Sequence, residues 1–142
     1  MAGLKRRRRT APAVPHEGTV RALYRAAAVS NALATVPAFV AYDRYVATFT
    51  DERPRYPFLV HIWAGMAALW GVSFWEIARD PVAARRLVRY SWLEKAVTTT
   101  SVVAAHRRGE VPTKFLVAIV ATDLVWIPPF LWADRVVRRA AR

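Results

Sequence analysis

Residues 113–133 read TKFLVAIVATDLVWIPPFLWA, an apolar run with one acidic residue, Asp123, near its centre. About 20 mostly apolar residues are enough for a helix to cross the hydrocarbon core of a bilayer. A carboxylate halfway along such a helix is costly, so it is expected to be paired, protonated or functional. Three further apolar stretches of similar length precede it, at about Ala22 to Tyr42, Pro57 to Ala78 and Arg86 to His106. The sequence therefore predicts an all-α, four-transmembrane-helix bundle over residues 21–134, with spans at about 22–42, 57–78, 86–106 and 113–133. Residues 1–20 are expected to form a disordered basic tail, and residues 135–142 a second basic tail.

The composition agrees with this division. At 55% hydrophobic residues the chain is too apolar for an ordinary basic soluble domain, and 142 residues hold four spans with short loops and no separate soluble module. Cysteine is absent, which excludes disulfides, thiolate catalysis and cysteine-ligated metal clusters within this sequence.

The net charge of +12 and the run Lys5-Arg6-Arg7-Arg8-Arg9 would suit phosphate binding. Placement argues for membrane topology instead. The flank through Arg25, the loop with Arg79, Arg85, Arg86 and Arg89, and the tail after Asp134 hold 15 of the 22 basic residues. By the positive-inside rule both termini are expected in the cytoplasm. The partners expected are the bilayer, with anionic lipid at the tails, and no nucleic acid. Thr10 to Thr19 is polar and contains prolines, so no cleaved signal peptide is expected, and His16 is read as solvated.

Local signals mark the ends of the spans. Pro57 suits the first position of a helix, Asp80-Pro81 turns the chain back, and Arg107 to Pro112 has the residues of a short loop. Pro37 should kink the first span and Pro128-Pro129 should bend the fourth. Ala64, Ala68 and Gly71 would let a neighbouring helix approach the second span closely.

Counting along the helices brings Asn31, Glu94, Lys95 and Asp123 to one mid-membrane layer. Ser91, Glu94, Thr98 and Ser101 share a face of the third span, and Tyr24, Asn31, Thr35 and Tyr42 lie roughly on one side of the first. Lys95 is expected to neutralise Asp123 or Glu94, because buried charges are tolerated only when paired. Adjacent residues do not face each other on a helix, so a Lys95 that reaches Asp123 would leave Glu94 without a fixed cation. A carboxyl in an apolar site favours its neutral form, which would make Glu94 a proton-handling group. The candidate catalytic residues are therefore Glu94 and Asp123, and the candidate ligand-binding residues Asn31, His61, Lys95, Trp92 and Trp126.

His61, at the end of the second span, also reads as an interfacial histidine, and Glu76 as the surface partner of Arg79. His16, His61 and His106 have no second ligand at helical spacing, so no metal site is expected. The five glycines are scattered and form no phosphate-binding loop, and no cofactor is expected.

The segment Tyr56 to Asp134 resembles a family of small bacterial four-helix membrane proteins. The resemblance is carried by Tyr56-Pro57, Gly71-Val72, Ala78-Arg79-Asp80-Pro81, Lys95, Gly109 to Pro112 and, above all, Asp123-Leu124-Val125-Trp126-Ile127-Pro128-Pro129-Phe130, an Asp-Leu-x-Trp-x-x-Pro-Phe pattern. It implies four helices and a polar position at Asp123 and brings no catalytic assignment. His61 and Glu94 depart from the family pattern, which has a glutamine and a small residue there. The expected location is the inner (cytoplasmic) membrane, crossed several times.

Three functions fit these residues. One is a membrane partner or assembly protein, working with another membrane protein or as a homo-oligomer. The second is an intramembrane isomerase or cyclase acting on a lipophilic, terpenoid-like molecule. In it Glu94 or Asp123 would supply a proton, and Trp92 and Trp126 would stabilise developing positive charge. The third is a small proton-coupled transporter. A filled interior would favour the first, a closed apolar pocket beside the carboxylates the second, and a water path the third.

Overall fold

The computed structural model describes residues 16–140, which form helices joined by turns and loops, with no strand among them. Helix α1 spans Glu17–Thr35, α2 Pro37–Val40, α3 Tyr42–Ala47, α4 Pro57–Arg79, α5 Arg85–Arg107, α6 Thr113–Asp123 and α7 Ile127–Ala140. A single 3₁₀ turn, Leu124–Trp126, joins α6 to α7. These pieces make four rods, with α1 packed along α4 and α5 packed along α6 and α7.

The rods alternate in direction. The Arg21 guanidinium donates to the carbonyl oxygens of Ala78 and Arg79, which puts the start of α1 beside the end of α4. His16 and Trp132 lie 6.2 Å apart between ring centroids, so the first and last described segments meet at that same end, the basic end. At the opposite, loop end, Lys114 Nζ reaches Asp51 Oδ1 at 3.0 Å.

Several boundaries differ from the sequence expectation. Helix α1 starts at Glu17, so residues 17–20 are helical and not tail, held by the Glu17–Arg21 pair and by Val20, which is fully buried. The first apolar stretch is not one helix from 22 to 42. Pro37 has no N–H to give to the preceding turn, α1 ends at Thr35, and Ala41 (φ −146°, ψ 49°) breaks the chain again before α3. Residues 135–140, read as tail, continue α7, because Val137 is fully buried among the other rods. The rest of the two expected tails, residues 1–15 and 141–142, lies outside the described residues. Pro128 and Pro129 likewise take two donors out of the fourth rod, and the rod tightens into the 3₁₀ turn just before them.

The turns follow from their residues. Asp80 Oδ1 accepts from the backbone N–H of Val82 and of Ala83, at 3.1 and 3.0 Å, and so holds the α4–α5 turn. After α5, Gly109 takes φ 73°, and the N–H groups of Gly109 and Glu110 bond back to the carbonyls of His106 and Ala105. This is the Schellman arrangement, and its left-handed position suits glycine.

The main core fills the basic end. Tyr24 stacks flat on Phe130, centroids 5.0 Å apart and planes 2° apart, and Phe74 packs against both rings. The Tyr24 hydroxyl is within 2.7 Å of Ser91 Oγ, so the buried phenol is satisfied. A smaller cluster of Ala38, Tyr45, Val46 and Ala64 lies toward the loop end. Large apolar side chains also cover the outside, including Leu33, Val40, Leu69 and Val125, each 61% exposed or more. The rods Pro57–Arg79 and Thr113–Ala140 are each long and apolar enough to cross a membrane.

Candidate functional site

Between the two cores lies a cluster of polar side chains contributed by three rods. Lys95 is buried on α5, and its Nζ donates to Asp123 Oδ1 at 2.9 Å. Asp123 is held there as the last residue of α6, where the helix tightens ahead of the prolines. Glu94 also belongs to the cluster, with Oε2 lying 3.4 Å from Lys95 Nζ. The expectation that Glu94 would have no cation is thus corrected. Neighbouring side chains diverge by about 100° on a helix, yet the long lysine stem turns its ammonium back toward its neighbour. The contact is an ion pair by distance only, since Oε2 is buried and accepts no aligned hydrogen bond.

Helices α1 and α4 close the other side. Asn31 Nδ2 donates to the carbonyl of Ala67 at 2.8 Å, and Thr35 Oγ1 donates to the carbonyl of Asn31 at 2.8 Å. This approach depends on Gly71, where an added Cβ would lie 3.2 Å from the Asn31 Cβ. Together these groups enclose a cavity of about 50 Å³ bordered by Asn31, Thr35, Glu94, Lys95, Thr98 and Asp123. Trp63 and Trp126 also border it. Its volume suits a water molecule or two and is far below the roughly 300–1,000 Å³ of ordinary ligand pockets.

Of the residues singled out in the sequence, Asn31, Glu94, Lys95, Asp123 and Trp126 meet at this cavity. His61 and Trp92 do not. His61 packs against the rings of Tyr42 and Phe39, centroids 5.0 and 5.7 Å away, nearer the loop end. Trp92 packs against the basic-end core, and its buried Nε1 has no partner. Sequence reasoning missed Trp63 as a lining residue. It is four residues before Ala67, which also borders the cavity, and its helical spacing to Ala67 was the signal available in the sequence. Among the described residues no three His, Cys, Asp or Glu side chains come together as metal ligands.

Beside the cavity, toward the loop end, runs a groove of about 470 Å³ lined mainly by apolar side chains such as Leu33, Pro37, Tyr45 and Phe49. Ala34, Trp63, Ile119 and Thr122 border both spaces. The geometry thus provides a paired polar cluster with little free volume, separated by four side chains from a wider apolar opening. Comparison with protein-family models, with characterised proteins and with solved structures gives no match to this chain.

Proposed function

We propose that the chain is a polytopic membrane protein that acts as a membrane partner or assembly protein, with the Glu94–Lys95–Asp123 cluster serving to fix the bundle. Several observations support the membrane setting. At 1.5 Å per residue the 23-residue helices α4 and α5 are each about 35 Å long, against about 30 Å of hydrocarbon. Apolar side chains project outward from every rod, a surface that lipid accommodates and water does not. In this reading all four rods cross the inner (cytoplasmic) membrane, with the arginine-rich basic end and both termini in the cytoplasm. The Asp123–Phe130 motif would place the chain with the small four-helix proteins it resembles.

The observation that carries the structural role is the position of Lys95, between both carboxyls and beside a cavity of only about 50 Å³. A buried pair of this kind helps to specify one register among the rods, and apolar residues of matched volume can replace it without loss of stability. The test is the triple variant Glu94→Leu, Lys95→Met, Asp123→Leu, returned to a host lacking the gene. Wild-type growth and membrane level are expected. Normal membrane level with loss of the biological phenotype would mean that the cluster performs chemistry.

That outcome would favour a second reading, an intramembrane acid–base enzyme for a lipophilic molecule. The apolar groove supports it, since about 470 Å³ falls within the size of ligand sites and the groove reaches the cavity wall at Trp63 and Thr122.

A further inference from the structure

At the basic end, away from the polar cluster, four arginines converge. Arg85, Arg86 and Arg89 come from the first turns of α5 and Arg138 from α7, around a pocket of about 280 Å³ that Tyr90 and Asp134 also line. The first turn of α5 has no acidic residue, and no side chain caps it. Cations at a helix N-terminus oppose the helix dipole, and like charges at Arg85 and Arg89, one turn apart, repel. Among the described residues no carboxylate pairs with these three arginines. Arg138 alone has one, Asp134 Oδ2 at 2.9 Å. Asp134 is 3% exposed, and its other oxygen, Oδ1, is buried with no donor. The pocket therefore lacks an anion for Arg85, Arg86 and Arg89.

We propose that this pocket binds the headgroup of an anionic phospholipid, such as phosphatidylglycerol. The phosphate takes the arginines, for which bidentate oxygen acceptors are the natural partners. A lipid fits better than a soluble phosphate because the surface continues in the right chemical order. Tyr90 is 50% exposed beside the arginines, where a tyrosine suits the headgroup level. Leu93 and Val97, 41% and 55% exposed, follow at three and seven residues on the same face of α5 and offer a track for an acyl chain. Basic pockets on the cytoplasmic side of helix bundles are a recurrent lipid-recognition device.

The proposal rests on the membrane reading, so the experiment separates the two. Membranes containing the full chain are first washed with alkaline carbonate. Release of the chain would overturn the membrane reading itself, and the lipid site with it. The retained protein is then purified in detergent and equilibrated with phosphatidylglycerol, phosphatidic acid or phosphatidylcholine, and bound lipid is counted by native mass spectrometry. One phosphatidylglycerol or phosphatidic acid per protomer is expected, and no phosphatidylcholine. Arg85→Ala with Arg89→Ala is expected to weaken retention about 30-fold, from the usual contribution of two basic residues. Arg107→Ala with Arg108→Ala removes the same charge at the loop end and is expected to change nothing. Equal losses in the two double variants, or no retained lipid in a chain that survives carbonate, would overturn the site. Phosphatidylcholine binding as well as phosphatidylglycerol would overturn recognition of the anionic headgroup by the arginines. Displacement of the lipid by free glycerol phosphate would assign the pocket to a soluble ligand instead.

Discussion

At the basic end of the bundle Tyr24 lies flat on Phe130, Phe74 packs against both, and the phenol hydroxyl is bonded to Ser91. At the loop end Tyr45 and Phe49 border openings of about 470 and 720 Å³, and the buried hydroxyls of Tyr42 and Tyr45 have no partner. The same four rods thus pack closely in one half and stand apart in the other. The cause is in the chain. The basic end is joined by a short Asp80-Pro81 turn, whereas the loop end carries the Pro37 break, the short helices α2 and α3, and the long connection to Pro57. The half where every rod contributes a complete helix is therefore the closely packed one, and the half with the broken rod is the open one.

Truncation should show the contrast most strongly at the stack. Phe130→Ala removes a fully buried ring that touches Tyr24, Phe74 and Trp126, and it should cost about 3–5 kcal/mol. Phe49→Ala, on a half-buried ring beside the openings, should cost under about 1 kcal/mol. Both values can be read from reversible unfolding in mixed micelles, followed by tryptophan fluorescence. Comparable losses at the two sites would erase the distinction between the ends.

Lys95→Met comes next, at about 2–4 kcal/mol. It leaves Glu94 and Asp123 facing each other with no cation, and the adjoining cavity can admit some water to soften the penalty. The triple apolar variant proposed above should recover most of that loss, and a triple variant less stable than Lys95→Met would show that the cluster is not replaceable by packing.

Gly71→Ala tests the junction between the halves. The new methyl would meet the Asn31 Cβ at 3.2 Å, so α1 must move slightly or Asn31 must loosen its bond to Ala67. A cost of about 1–2 kcal/mol is expected. Gly65→Ala is the control on the same helix, because a Cβ there meets nothing within 4 Å and alanine favours the helix.

The sequence made some of this legible. Helix α4 begins at Pro57, where proline suits the first helical position, and the Asp80-Pro81 turn follows from the residues alone. Asn31, Lys95 and Asp123 meet because counting helical rise from the span ends brings them level. Other features depend on contacts that no local pattern announces. Glu17 to Val20 look like tail until Arg21 finds the carbonyls at the end of α4, and Val137 looks like tail until it is buried. The polar stripes contain both Tyr24 and Ser91, but which hydroxyl meets which is decided by the rotation of the rods about their axes. The chemistry of His61 suggests a place with the polar residues, whereas its neighbours Phe39 and Tyr42 make it part of an aromatic surface.

The smallest effect should carry the opposite sign. Tyr45 is buried at the loop end with no hydrogen bond to its hydroxyl, and burial pushes its phenol from 10.0 up to about 12. Tyr45→Phe removes an unsatisfied polar group and keeps the ring against Phe49, so it should be neutral or stabilising by about 0.5 kcal/mol. The same group gives a pH signature. The folded state holds the Tyr45 proton more tightly than the unfolded state does, so its contribution is complete below about pH 10 and disappears as the pH rises toward 12. Wild-type stability should therefore fall more steeply than that of Tyr45→Phe across this window. Parallel curves for the two proteins would mean that the Tyr45 hydroxyl is in contact with solvent, and the loop end would then be more open than the packing of Tyr45 against Phe49 implies.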